Sequence, residues 1–407
     1  MQVKLYPKHN KINPSFKGWD ASRPLRYVVM TEPGHKGAIS KSLSDIGKTC
    51  GFDVLLLSDR KLTRIEDVGF SNAFTTEALS AVKKLKDMFV RTIGVSQWAQ
   101  DEITLTPNGN AFSCLNIDMF LNEVARKFSC TPNSSGAMPE GGNLFFIKGK
   151  KGYELLVGKS DKNMFFNWDT QDLKLRKSID IEKLKQNFGV RKITFLPEMD
   201  YHLDLFIRPL DDKRILLTDD SKTIEVLDNA ILKIKQKIKS SNSSYDKEYF
   251  QFILQRIFTT KRKFLEEISK NPSSEKINKI EKILKNNNFE IIRVPGRLYS
   301  VSDDKFLQHD YNFMNAIVTK NKDGELVYIT GASSIDYQVG LTEEMCQKLG
   351  FSFQQAFAES ISDYVKPKNV HFISGEENEI QEKLTSYKGG LHCLGIEIPD
   401  LFSLIQC

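Results

Sequence analysis

The apolar positions of this 407-residue chain fall into short runs separated by helical stripes. Arg26 to Met30 is a β-rich run that stops before Pro33-Gly34. Ile39, Leu43 and Ile46 then recur at helical spacing, and Val54 to Leu57 is a second apolar run, so strand, helix, strand is the expected order. Leu79, Val82, Leu85 and Met88 share one stripe and predict a helix over Thr75 to Met88. Short strands follow at Glu102 to Thr106, at Ala111 to Leu115 beyond the Pro107-Asn108-Gly109-Asn110 turn, at Leu144 to Ile147, and at Glu154 to Val157 across a Gly149 to Gly152 hairpin turn. A helix over Ile181 to Phe188 leads into strands at Lys192 to Leu196 and Arg214 to Thr218. Farther on, Glu290 to Val294, Asn315 to Thr319, Leu326 to Ile329 and Val370 to Ile373 read as strands. Thr342 to Leu349, Phe353 to Tyr364 and Glu377 to Tyr387 read as helices. Paired strands recurring with a helix suggest repeated ββαβ-like units, although the sequence repeats themselves are faint.

Residues 222–288 differ in character. Ile231, Ile234 and Ile238 form one apolar stripe among lysines. Phe250, Ile253, Leu254, Ile257 and Phe258 form a second, and Ile277, Ile280, Ile283 and Leu284 a third. The pattern predicts three helices, broken near Ser240 to Ser244 and at Asn271-Pro272. Charge sharpens this picture. The chain total is +6, and Lys222 to Asn288 holds 15 Lys/Arg against 8 Asp/Glu, a local balance of +7. The basic character therefore belongs to this Lys-rich helical insertion, which reads either as a solvated appendage or as a docking element for an acidic protein partner. Residues 1–24 read as a lead-in, and 25–221 with 289–407 as one body.

Six cysteines with no CxxC pair argue against a disulfide framework and against a zinc knuckle, and a reducing compartment fits them. The N-terminus has no apolar leader core and no run approaches a membrane span, so a soluble, cytoplasmic protein is expected, with no membrane partner. No recognisable nucleic-acid module accompanies the lysines, so no nucleic-acid partner is expected.

The candidate chemistry gathers in four stretches. Gly389-Gly390-Leu391-His392-Cys393 presents a lone thiol where a glycine pair permits close backbone approach, at the mouth of a short strand closed by Pro399. Upstream lie Gln97-Trp98-Ala99-Gln100-Asp101-Glu102, Pro139-Glu140-Gly141-Gly142-Asn143, and Tyr201-His202-Leu203-Asp204 running on to Phe206 and Arg208. Each has an ordinary reading when taken alone: a buried apolar cysteine, a strand-entry cap, a tight turn, a structural His-Asp pair. If the HxD stretch is a strand, His202, Asp204, Phe206 and Arg208 face one side.

In this order the four stretches resemble the motif series of the guanidino-group-modifying (pentein) superfamily. That superfamily comprises arginine, agmatine and peptidylarginine deiminases, dimethylarginine dimethylaminohydrolases and amidinotransferases. The resemblance spans roughly residues 25–220 and 290–400. It implies an α/β fold, a five-fold pseudosymmetric α/β propeller, with the helical segment inserted. It also implies a cysteine-dependent attack on a guanidinium, which needs a planar grip, a thiolate and a proton donor for the departing amine.

By resemblance, Asp101 and Asp204 hold the guanidinium nitrogens, each able to accept two N–H bonds from the fork. Trp98 lies along the substrate stem. Cys393 is the nucleophile, His202 the general acid and then base, and Glu140 the partner that orients it. Asn143, Lys162 and Arg208 fall among the substrate contacts. Asn143 and Lys162 replace the aspartate and arginine of the free-arginine pattern, which favours arginine in a protein over the free amino acid. His392 beside the thiol reads as a spectator. No cofactor or metal is called for by this chemistry. The rival readings are a metal-dependent hydrolase built on His202, Asp204, His392 and Cys393, an amidinotransferase, and a binding protein that keeps the scaffold without turnover.

Overall fold

The computed structural model of the protein describes residues 24–30, 38–58, 61–64, 103–113, 122, 125, 128, 130–133, 141–149, 151–158, 181–197, 202–270, 272–301, 307–374 and 390–399. The expected lead-in over 1–24 and the helices expected over Thr75 to Met88 and Glu377 to Tyr387 lie outside these residues.

The first segment runs β1 (Leu25–Met30), α1 (Ala38–Cys50), β2 (Asp53–Ser58) and β3 (Lys61–Arg64). Next come β4 (Ile103–Leu105), β5 (Asn110–Ser113) and β6 (Thr131–Asn133), then β7 (Leu144–Gly149), β8 (Gly152–Gly158), α2 (Ile181–Phe188) and β9 (Lys192–Leu196). β10 (Ile207–Pro209) and β11 (Arg214–Thr218) precede three long helices, α3 (Asp220–Ser240), α4 (Ser244–Lys270) and α5 (Ser274–Asn286), which return the chain to β12 (Glu290–Val294). β13 (Arg297–Val301) and β14 (Leu307–Asn312) form a hairpin. The chain ends with β15 (Ala316–Lys320), β16 (Leu326–Gly331), α6 (Ser334–Gln338), α7 (Glu343–Leu349), α8 (Phe353–Ser360), β17 (Val370–Ile373) and β18 (Gly395–Pro399).

One pairing rule repeats through these strands. In the sheets β4-β5-β6, β7-β8-β9, β10-β11-β12 and β15-β16-β17, an antiparallel pair is followed by a strand parallel to its second member. The sheet β18-β1-β2-β3 obeys the same rule, except that its first strand comes from the far end of the chain: β18 is antiparallel to β1, and β1 is parallel to β2. A parallel return needs a long crossover, which α1, α2, the α3 to α5 group and the α6 to α8 group supply. The result is an α/β protein of small sheets; α1 and α2 bury their apolar stripes against the strands they connect, while α4 packs on β13 of the following hairpin.

The helices of residues 220–286 are part of the body. Leu227, Ile234, Phe250, Ile257 and Phe264 join the same buried cluster as Leu298, Tyr311, Phe313 and Tyr328 of the following sheets. Ile277, Ile280 and Leu284 of α5 pack with Leu205, Ile207 and Leu217 beneath β10 and β11. Their inner faces are thus core, not a solvated surface. A buried polar seam fastens the group. Arg297 and Asp220, both nearly inaccessible, approach to 3.5 Å, Tyr299 Oη donates to Asp220 at 3.4 Å, and Thr223 Oγ1 donates to the Arg297 carbonyl at 2.9 Å. Asp219 caps α3 by accepting from Ser221 N at 2.9 Å and pairs with Arg293 Nη1 at 2.9 Å.

The stretch holding His202 and Asp204 is not a strand: Leu203–Leu205 is a 3₁₀ turn, and strand pairing begins only at Ile207. Polar side chains mask the β13–β14 hairpin, which the apolar pattern does not predict.

Phe264 is fully buried and meets Tyr299 edge-on at 5.1 Å. Phe264→Ala is therefore expected to lower unfolding free energy by about 3–5 kcal/mol, read as a fall in the urea midpoint. A loss below ~1 kcal/mol would mean that α4 is not core.

Candidate active site

Four separated segments deliver the site. Gly141–Asn143 and Leu203–Leu205 are short 3₁₀ turns, the turn before β15 carries Asn315, and His392–Leu394 is a third 3₁₀ turn opening β18. Antiparallel pairing of β18 with β1 fixes the last of these, with Gly395 opposite Met30 and Ile398 opposite Tyr27.

Asp204 stands at the centre with no solvent exposure. Its Oδ2 accepts from Asn315 Nδ2 at 2.8 Å, lies 2.9 Å from His392 Nδ1, and takes the Cys393 thiol at 3.4 Å. Its Oδ1 has no hydrogen-bond partner among the described residues. An unpaired buried acceptor of this kind costs about 1–3 kcal/mol unless something donates to it. Cys393 and His392 are themselves only 3% and 5% exposed.

The Asn315 side chain links three of these groups. Its Oδ1 accepts from the backbone N–H of His392 at 2.7 Å and of Cys393 at 3.3 Å, while its Nδ2 donates to Asp204 and to Cys393 Sγ at 3.0 Å. The glycines of the two flanking motifs make room for this packing. A Cβ on Gly390 would come within 2.6 Å of Asn315 Oδ1, and one on Gly142 within 2.5 Å of His202 Nδ1 and 3.2 Å of Asp204 Oδ2. His202 and Asp204 thus converge over Gly142, although the turn and not a strand aims them.

A second layer supports the imidazole of His392. Phe145 stacks on it at 5.9 Å, and Arg208 lies over the same phenyl ring at 5.5 Å. Arg208 Nη2 bonds Glu397 Oε1 at 2.6 Å, and Glu397 is 3.6 Å from His392 Nε2. Burial, and after it the Arg208 cation, hold the His392 imidazole below its usual pKa of 6.5 against the pull of Asp204 and Glu397. A neutral imidazole with its proton on Nδ1 is the form that donates to Asp204.

The expected residues are thus partly assembled. Cys393, Asp204 and His202 lie in one region. Arg208, expected among the substrate contacts, sits in an ion pair with Glu397. The Asn143 side-chain Oδ1 accepts from Leu203 N at 3.1 Å and so ties the Gly-Gly-Asn turn to the His-Asp turn. Trp98, Asp101, Glu140 and Lys162 lie outside the described residues. Sequence reasoning missed Asn315 and Glu397 and took His392 for a spectator. Asn315 reads from the sequence as the first residue of a strand, and nothing there marks it as a side chain reaching across 78 positions. Among the described residues, no group of three His, Cys, Asp or Glu side chains is arranged to hold a metal ion, and no helix is long and apolar enough to cross a membrane.

Neither a protein-family model nor a curated protein matches the sequence. Solved structures do resemble the chain. Agmatine deiminase from C. jejuni aligns at 14% identity and a TM-score of 0.46, covering 98% of this chain and 99% of that one. A structure described as a candidate peptidyl-arginine deiminase aligns at 10% identity and 0.47, covering 93% and 97%. DDAH from Pseudomonas aeruginosa, in complex with citrulline, aligns at 10% identity and 0.40, covering 92% and 99%.

The depressed pKa of His392 has a consequence for stability. Above about pH 6.5 neither the folded nor the unfolded chain protonates this ring. As pH falls below that value the unfolded chain takes up a proton that the folded site resists, so stability is lost toward the folded value. The urea midpoint is expected to fall between about pH 7 and about pH 5, and His392→Gln is expected to flatten that slope. Equal slopes in the two proteins would show that this ring is not held neutral.

Proposed function

We propose that this chain is a cysteine-dependent guanidine hydrolase, a deiminase that converts an arginine-type guanidinium to a ureido group with release of ammonia. The observation that carries this reading is the Asp204 carboxylate. It is wholly buried, and it sits 3.4 Å from a thiol while its second oxygen awaits a donor among the described residues. A guanidinium is a planar cation with N–H groups on every edge, and it fills such a vacancy with a charge-assisted bond. The motif order in the sequence supports the same chemistry.

In the proposed reaction Asp204, with Asp101 as its expected counterpart, holds the guanidinium so that its carbon faces Cys393. The thiolate adds to that carbon, forming a C–S bond. His202 gives a proton to one nitrogen of this tetrahedral adduct, its C–N bond breaks, ammonia leaves, and a covalent thiouronium remains on the sulfur. His202 then takes a proton from water, which attacks the same carbon. The C–S bond breaks, the thiolate is regenerated, and the product carries a C=O where the imino nitrogen stood. By resemblance, Glu140 holds the His202 tautomer and Trp98 lines the approach. The five sheets that share one pairing rule fit five pseudosymmetric units around a central site, and the meeting of segments from four of them at Asp204 supports that arrangement.

Arginine within a protein is the favoured substrate. One surface feature supports this: from Tyr249 to Leu265 helix α4 carries Arg256, Arg262 and Lys263, with Lys261 paired to Asp228 of α3, and no acid of its own, and Phe252, Phe258 and Leu265 are exposed along it. Such a face suits an acidic protein segment with apolar side chains.

Ammonia release should be measured for wild type and Cys393→Ala on free arginine, agmatine, methylarginines and an arginine-containing protein, with mass spectrometry for citrulline. At least one substrate is expected to release ammonia, with activity falling by several orders of magnitude in the variant. Activity that survives Cys393→Ala would remove the nucleophile assignment. Release from free arginine alone would remove the protein-substrate preference.

A further inference from the structure

Asn315 belongs to none of the motifs that carry the functional reading, yet its amide makes four contacts inside the site. Its orientation is fixed by chemistry. Both backbone N–H groups of the His392-Cys393 pair point at one end of the amide, so that end must be the carbonyl oxygen. The NH₂ end therefore faces Cys393 Sγ at 3.0 Å and Asp204 Oδ2 at 2.8 Å, one hydrogen for each.

Asn315 cannot easily turn away. It is completely buried, and its own carbonyl accepts from Thr330 Oγ1 at 3.3 Å. The preceding turn is held by Asn312, whose Nδ2 donates to the Leu205 carbonyl at 3.0 Å and whose Oδ1 accepts from Met314 N at 3.0 Å. Asn312 thus fastens the Asn315 turn to the turn that carries Asp204.

We propose that Asn315 is a positioning residue for the nucleophile, and that its Nδ2–H stabilises the Cys393 sulfur as the thiolate forms. The need for such a donor follows from the neighbours. In the thiol form the S–H points to Asp204. Once that proton is gone, sulfur and carboxylate are two anions in contact, a pairing that disfavours the thiolate. The Asn315 N–H groups donate to both anions at once, and so offset part of their repulsion. A purely structural amide, in contrast, would need only its oxygen, which anchors the loop.

The inference rests on the reading of Cys393 as nucleophile, but its test needs no guanidine substrate. The rate of iodoacetamide alkylation at Cys393 should be followed against pH by peptide mass spectrometry, in wild type and in Asn315→Ser, which removes the amide donor without adding charge. The midpoint of the profile is expected to move up by about one pH unit, giving roughly tenfold slower alkylation below it, with the high-pH plateau unchanged. Asn315→Asp keeps an oxygen for the two backbone N–H groups and places a second acidic group beside the sulfur, so it should move the midpoint further. An unmoved midpoint in a folded Asn315→Ser protein would overturn the proposal, even if its unfolding temperature dropped. Loss of fold in both variants would assign the amide to folding alone and overturn it as well. If the midpoint moves while no guanidine is hydrolysed, the positioning role stands and the deiminase reading fails by itself.

Discussion

Asp204 is a carboxylate with no solvent exposure, and the surrounding side chains supply the donors that bulk water would have given. Three donors from two distant segments converge on its Oδ2: the Asn315 amide, the His392 imidazole and the Cys393 thiol. A buried acid left unsupported costs far more than the few kcal/mol that separate folded from unfolded chains. The fold must therefore bring residues near 204, 315 and 392 together or not form this centre at all. Gly142 and Gly390 are consequences of the same convergence, since a methyl group at either position would strike one of the groups gathered there.

Strand pairing at the chain ends makes that convergence possible. β18 adds to β1, and so seats the Cys393 turn beside a sheet built from the first described residues. The hairpin β13–β14 and its Asn312 anchor set the Asn315 turn, and the same hairpin packs under α4 through Tyr299 and Phe264. Helices α3 to α5 are in this way joined to the site through the body of the protein. They support the hairpin that positions Asn315, while the outer face of α4 remains open with its bases and exposed aromatics.

Much of this was legible in the sequence. Apolar composition locates the strands at 192–196, 214–218, 290–294 and 370–373, each a short run rich in Ile, Leu, Val or Phe, and the buried stripes of the three long helices locate the breaks between them. It fails where polar residues interrupt the apolar pattern. Leu307–Asn312 has no apolar alternation to mark it as a strand, and the His202 to Asp204 stretch was read as a strand although hydrogen bonding closes it into a turn. In the site, motif chemistry marked Cys393, His202 and Asp204. Arg208 is placed among the substrate contacts by resemblance. Its ion pair with Glu397 depends on β18 and β10 being neighbours in space, which no local pattern encodes. Asn315 was silent for the same reason.

The central claim is that Cys393 attacks a guanidinium carbon held by Asp204. The most direct test is to mix the protein with a substrate it turns over, quench with acid within one turnover, and map the digest by mass spectrometry. The account predicts an adduct equal to the substrate less ammonia on the peptide containing Cys393, absent in Cys393→Ala and strongly reduced in Asp204→Asn. Turnover with no such adduct at any quench time, or an adduct on Cys50 or Cys346 instead, would contradict it.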